Sequence, residues 1–386
     1  MTTAIELGFD PERLERLRAA IRRDIDALAY DGCSLLVARR GQVAFHEAFG
    51  FSDRGTGRMA STGDVFFSMS IAKQLTNTMV MMRVERGEVA LTTPVAEVVP
   101  AFGQKGKQAV TVGDLIVHKA GLPFGLPPMP PEAIGSIDAM TDAACALLPE
   151  GVPGTRVNYS ALIAHSVLAA IVRALDGNRR SFREMMAEEL FGPLGMADTS
   201  LGAREDLEPR RVPVVVRDRT PDMFDADLLE ASAALLSESF ELPAGGCLTT
   251  THDFFRFAEC IRRGGELDGA RILSPSTIRL MTTNQTGQMP NGIWDYARAS
   301  HGWPVFPAWL GYGFFLRGEG AWYPTPFGLS SSPGTYGGFG AGSNCFWVDP
   351  ERELVCVYLS AGLMPETRST PRHQKIADLV QASVVD

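Results

Sequence analysis

Phe66-Phe67-Ser68-Met69-Ser70-Ile71-Ala72-Lys73, continuing as Gln74-Leu75-Thr76-Asn77-Thr78-Met79-Val80-Met81-Met82, reads as a short apolar approach running into a helix. Gly87, just past Arg83, Glu85 and Arg86, supplies a natural stop. Apolar residues fall on nearly every side of the segment (Ile71, Ala72, Leu75, Met79, Val80, Met82, Val84), so the pattern predicts a buried helix. Ser70 stands at its start, where serine is favoured and backbone N–H groups lack intrahelical partners.

Ser70 and Lys73 are three apart and share one helix face. A serine hydroxyl hardly ionises near neutral pH, so a nucleophilic serine needs a base. A lysine can serve when burial or a nearby cation lowers its pKa. The helix N-terminus adds N–H groups and partial positive charge, which favour an oxyanion at the same place. Of Lys73, Lys105, Lys107, Lys119 and Lys375, only Lys73 follows a serine at this spacing. The competing reading is a helix-capping serine with a solvated lysine one turn on. Entry into a buried helix argues against it, because a lysine there must itself be buried or satisfied.

The 386 residues suffice for a large core, and 45% hydrophobic with 21% charged residues is ordinary globular composition. A net charge of −9 argues against nucleic acid or an anionic membrane as partner. The N-terminus carries neither a basic stretch nor an apolar one, and no run is long enough to span a bilayer, so a cytoplasmic protein is expected. Cys33, Cys145, Cys247, Cys260, Cys345 and Cys356 form no Cys-x-x-Cys pair, and the six histidines show no ligand spacing. Neither a metal nor any other cofactor is expected. Oligomeric state is not readable.

Asp10 and Pro11 open a helix predicted to run to about Tyr30, and Cys33–Ala38 with Val43–Phe49 form a hairpin. A second hairpin turns about Pro350-Glu351-Arg352, and a closing helix is predicted over Arg372–Val384. Between these lie mostly helices, with a proline-rich loop from Pro123 to Pro131 placed to line a pocket mouth. Residues 204–236 are weakly patterned. Residues 287–328 hold an aromatic cluster, including Trp294, Tyr296, Trp303, Trp309, Phe315, Trp322 and Tyr323, which reads as either a ligand wall or a satellite core. Strands at both ends with helices inserted give an α+β class: an antiparallel sheet flanked by helices, with a helical subdomain. The expectation is a single catalytic unit over 1–386, its α/β part approximately 1–60 plus 245–386 and its helical part approximately 61–244.

The ordered set of motifs resembles the serine β-lactamase and penicillin-binding-protein-like superfamily, specifically the class C β-lactamase-related family VIII carboxylesterases. Ser70-Ile71-Ala72-Lys73 is similar to its nucleophile motif. Asp114-Leu115-Ile116-Val117-His118-Lys119-Ala120-Gly121-Leu122, Pro153-Gly154 with Tyr159-Ser160, and Phe191-Gly192-Pro193-Leu194-Gly195-Met196-Ala197-Asp198-Thr199 resemble further family stretches. So does the run from Pro243-Ala244-Gly245-Gly246 to Leu273-Ser274-Pro275.

The resemblance implies an acyl-enzyme route. Ser70 would attack an ester carbonyl, and Lys73 and Tyr159 together would accept and relay its proton; which of them is the formal base stays open. The third family element, a strand facing the site, corresponds to Tyr336-Gly337-Gly338-Phe339-Gly340-Ala341-Gly342-Ser343. The best register puts Gly338 where lysine, histidine or tryptophan usually stands and adds the Ala341 N–H to that of Ser70 in an oxyanion hole. A register using Tyr336-Gly337-Gly338 is the alternative. Gly338, Phe339, Gly340, Trp309 and Tyr336 are the expected substrate-binding residues.

Ala161 stands where the β-lactamases carry the asparagine of Tyr-x-Asn, and Gly338 offers no cation for a lactam carboxylate. Both departures favour an uncharged small or aryl ester as substrate. The alternatives are an acyltransferase on the same chemistry, a β-lactamase or D-alanyl peptidase, and a non-catalytic binding protein on this scaffold.

Overall fold

Strand β1 (Gly32–Arg39) is buried along its whole length, and its alternate side chains enter two different cores. Leu35 and Val37 face α1 (Pro11–Asp26), whereas Leu36 and Ala38 face the side that holds α2 (Ala72–Glu85). A strand covered on both faces reads as continuously apolar, as Leu35-Leu36-Val37-Ala38 does.

The computed structural model describes residues 3–320 and 325–386, without the side chain of Tyr296. Trp322 and Tyr323 of the expected aromatic cluster lie outside the described residues. The other strands of the main sheet are β2 (Gln42–Asp53), β3 (Arg58–Met59), β4 (Phe315–Leu316), β5 (Tyr336–Gly340), β6 (Asn344–Asp349) and β7 (Leu354–Ala361). Among the described residues seven strands form one antiparallel sheet in the order β3-β2-β1-β7-β6-β5-β4. The two chain ends therefore meet at its centre, with Gly32 opposite Ala361 and Arg39 opposite Leu354. Helices α3 (Ile163–Leu175) and α4 (Ala226–Ala234) belong to the insertion; α5 (Thr251–Arg262) and α6 (Glu366–Ser383) pack on the sheet.

The expected α+β class, with terminal strands sharing one antiparallel sheet, is what the fold shows. Boundaries differ at two points. Helix α1 stops at Asp26 rather than near Tyr30, because Leu28 adopts φ +59 and turns the chain into β1. Helix α6 starts at Glu366, earlier than expected, and carries Pro371 as its sixth residue, where the proline forfeits the N–H bond to the Thr367 carbonyl. No helix among the described residues is long and apolar enough to cross a membrane.

Candidate active site

The approach to Ser70 is held rigidly. Phe66 and Phe67 pair with Thr249 and Leu248, and Asn344 Nδ2 donates to the carbonyls of Phe67 and Ser68. Met69 then adopts φ +50, unusual for a residue with a Cβ, and turns the chain sharply. Ser70 follows in a single 3₁₀ turn (Met69–Ile71) that leads into α2. Its hydroxyl caps nothing: Lys73 Nζ donates to Ser70 Oγ at 2.9 Å. The capping-serine reading therefore fails on geometry.

Lys73 is 2% exposed, and its second bond runs to the Ala244 carbonyl at 2.9 Å. Burial without a compensating charge pulls its pKa down to about 7. A substantial fraction is thus a neutral amine near neutrality, which is the form a base requires. The Tyr159 ring lies beneath it, 5.2 Å from the ammonium nitrogen. Tyr159 is buried, with its phenol beside Ser70; burial pushes the phenol pKa up against the lowering influence of Ser70, so it stays protonated near neutral pH. Ser70 and Lys73, one turn apart on a single segment, thus meet Tyr159 from a distant one.

Behind this trio the structure shows groups that spacing alone did not single out. The His118 ring packs 4.4 Å from that of Tyr159, and its Nδ1 accepts the Ser160 N–H at 3.3 Å. Burial, reinforced by the charge of Lys73, lowers His118 to about 3. His165, 5.5 Å further on, is lowered in the same way. Both imidazoles are neutral at working pH. A small cavity of about 10 Å³ adjoins Lys73, Gln74, Asn77, His118 and His165.

In front of Ser70 opens a cavity of about 260 Å³. Its wall is apolar: Phe67, Met69, Phe124, Leu126, Met223, Phe224, Leu228, Leu229 and Leu242, with Ala341 also lining it. Ser70, Asp225 and Ser232 add polar groups, and among the described residues no lysine, arginine or histidine lines it. The loop after Pro123 supplies Phe124 and Leu126, as expected of a pocket mouth.

Strand β5 brings its end against Ser70. A Cβ at Gly340 would stand 2.7 Å from Met69 Cβ and 3.0 Å from the Ser70 nitrogen, so only glycine permits this approach. Ala341 is the next residue and lines the cavity. The other expected substrate contacts are placed differently. A Cβ at Gly338 would collide with Gln74 Oε1, so the position where a recognition side chain was sought is covered by Gln74. Tyr336 is buried against Phe314 on the side facing α5. Phe339 faces the opposite side, stacked on Trp294 and touching Phe315. Trp309 is also buried, and neither it nor any other described residue from 287 to 328 lines the cavity at Ser70. The aromatic cluster serves as core rather than as the wall of this cavity, since its rings pair with one another and with Phe339. The wall comes instead from residues 223–232, the stretch with the weakest patterning. Its signal is modest: Asp225 caps α4, and Leu228 and Leu229 sit just inside it.

A family model described as Beta-lactamase matches residues 17–381. The chain is 30% identical over 283 residues to penicillin-binding protein 4 of Amycolatopsis lactamdurans, an alignment covering 71% of each protein. It is 26% identical over 331 residues to the esterase/β-lactamase LipL of Mycobacterium tuberculosis, covering 78% of this chain and 76% of that one. A solved family VIII carboxylesterase superposes with a TM-score of 0.74 at 21% identity, covering 96% of this chain and 98% of the other, a likeness of fold. With the Ser70 turn, the buried lysine and the converging tyrosine on the same sheet-and-helix frame, these matches establish that the chain belongs to the β-lactamase family.

Proposed function

We propose that the protein is a serine carboxylesterase of the family VIII type, cleaving small or aryl esters through an acyl-enzyme on Ser70. One observation carries the reading: Lys73 Nζ lies 2.9 Å from Ser70 Oγ, buried and without a charge partner, at the edge of an apolar cavity.

The chemistry follows from that arrangement. Neutral Lys73 and the Tyr159 phenol, both beside Ser70, take up and pass on its proton as Oγ attacks the ester carbonyl. The N–H groups of Ser70 and Ala341 stabilise the resulting oxyanion. Collapse of the tetrahedral adduct expels the alcohol, which receives the proton. Water then repeats the sequence on the acyl-serine. The transferred proton makes Lys73 cationic only transiently, which suits a site where burial disfavours the charge.

An uncharged ester is supported over an anionic lactam by the cavity wall. No cation among the described residues lines it, and Asp225 would repel a carboxylate. Six unpaired, buried cysteines support action in a reducing compartment. The name of LipL, an esterase/β-lactamase, is compatible with an ester-cleaving relative.

The test is hydrolysis of short p-nitrophenyl esters by the wild type and Ser70→Ala. The expected result is loss of kcat/KM by at least about 10³-fold in the variant. Equal rates in both proteins would remove Ser70 from the chemistry.

A further inference from the structure

The oxyanion hole assigned above depends on where the Ala341 N–H points, and the structure shows what holds that residue. Ala341 belongs to the turn Gly340-Ala341-Gly342-Ser343 that joins β5 to β6, closed by the Ser343 N–H on the Gly340 carbonyl at 3.1 Å. Gly342 occupies the third position with φ +62, a conformation that favours glycine and fixes the turn type. Ahead of Ala341 the sheet anchors Gly340 opposite Asn344. After it, the N–H of the Ala341–Gly342 peptide is bound by a side chain from another element: Glu366 Oε2 accepts the Gly342 N–H at 2.8 Å.

Glu366 lies in the first turn of α6 and is 2% exposed. Its other oxygen accepts the Thr370 hydroxyl at 2.8 Å. The Ser343 carbonyl, at the far end of the turn, is bound by Ser360 Oγ at 2.7 Å and by Arg372 Nη2 at 3.2 Å. The start of α6 therefore clamps the turn from its outer side while Ser70 faces its inner side.

A burial this deep is a costly place for a carboxylate, and a neutral amide would supply an acceptor more cheaply. What the ionised form adds is two acceptor oxygens at once, one for Gly342 and one for Thr370. The charge also reaches the reacting groups, because it raises the pKa of Tyr159. We propose that Glu366 is a positioning residue for the Ser70 chemistry, its carboxylate pinning the Ala341–Gly342 peptide so that the Ala341 N–H stays beside Ser70. This role rests on the acyl-enzyme reading above.

The role carries a pH signature. Burial pushes Glu366 up to about 7; Asp222 raises it further and Arg372 opposes. Tyr159 and Cys345 are the other titratable groups that sense its charge, and both stay protonated near neutrality. Acidification thus protonates Glu366 and Lys73 over one range, and either event lowers activity. The acid limb of kcat/KM in the wild type should be steeper than a single protonation allows.

The experiment measures kcat and KM for a short p-nitrophenyl ester from pH 5 to 9 in wild type, Ser70→Ala, Glu366→Gln and Glu366→Ala, with thermal unfolding of each. Glu366→Ala is expected to lose about 100-fold in kcat with KM little changed, the scale of a misplaced oxyanion donor. Glu366→Gln keeps the shape and one acceptor; it should lose about tenfold or less and show a one-proton acid limb. Wild-type kcat in both Glu366 variants, or an unchanged acid limb in Glu366→Gln, would overturn the role. If Glu366→Ala does not fold, Glu366→Gln decides alone. Wild-type turnover that survives in Ser70→Ala, or is absent altogether, would defeat the acyl-enzyme reading itself, a failure distinct from that of Glu366.

Discussion

Gln74 lies over Gly338 so closely that a Cβ at residue 338 fits only if the Gln74 amide moves away. Helix α2 thereby supplies, one residue after Lys73, the polar group that covers the strand where a recognition side chain was sought. Gly338→Lys must push Gln74 aside, next to the cavity behind Lys73. The expected outcome is a fall of at least about tenfold in esterase kcat/KM, with no gain of turnover on a chromogenic cephalosporin. A cephalosporinase produced by this single change would show that the notch is open to a substrate carboxylate.

Lys73 sets a second expectation. Because its pKa is lowered to about 7 by burial, the neutral form grows as pH rises, so kcat/KM should climb from pH 5 and level off above about 7.5. Lys73→Met should lose about 10²–10⁴ in kcat/KM. The same variant should be more stable than the wild type. The unfolded chain binds the lysine proton up to about 10.5 and the folded one only up to about 7, so the burial costs stability at neutral pH. Urea unfolding at pH 7 should show a gain of at least ~1 kcal/mol for Met, which keeps the volume and removes the amine.

A stability prediction concerns the far end of α2. Arg83 is 2% exposed and binds Glu189 with two hydrogen bonds of 2.7 and 2.8 Å, a carboxylate that Arg86 and Arg180 also reach. Burial would raise Glu189, but these arginines hold it down to about 2. Arg83→Ala should destabilise by about 2 kcal/mol, because a partly buried carboxylate loses its innermost partner while Arg86 and Arg180 remain. The contribution of Glu189 is complete above its ordinary pKa of 4.5 and is lost as pH falls toward 2. Urea titrations of wild type and variant should therefore differ less at pH 3 than at pH 7.

How far the sequence could be read follows from how local each signal is. Ser70 and Lys73 are one helical turn apart, so a single segment reveals both. The two hairpins show themselves through short β-rich runs separated by turn residues, and their pairing follows once helices are seen between them. Tyr159 lies on an extended run after a turn, where nothing in its neighbours points at Ser70; only resemblance singled it out. The aromatic run of 287–328 misled because ring content reports burial and not which side of a sheet is buried. Trp294 and Phe315 pack on Phe339, away from the cavity at Ser70. Met223, Phe224, Leu228 and Leu229 become a wall only when their segment folds back over Ser70, a contact between distant parts of the chain. Glu366 was hidden because Pro371 reads as a helix start, leaving the true first turn outside the predicted helix.

The central claim is a covalent acyl-Ser70 intermediate, and intact-protein mass spectrometry tests it most directly. Wild type quenched in acid during turnover of a slow aryl ester should carry one acyl group, mapped by peptide digestion to the segment containing Ser70. Ser70→Ala should carry none. Turnover with no adduct on Ser70, or the same adduct persisting in Ser70→Ala, would contradict the account.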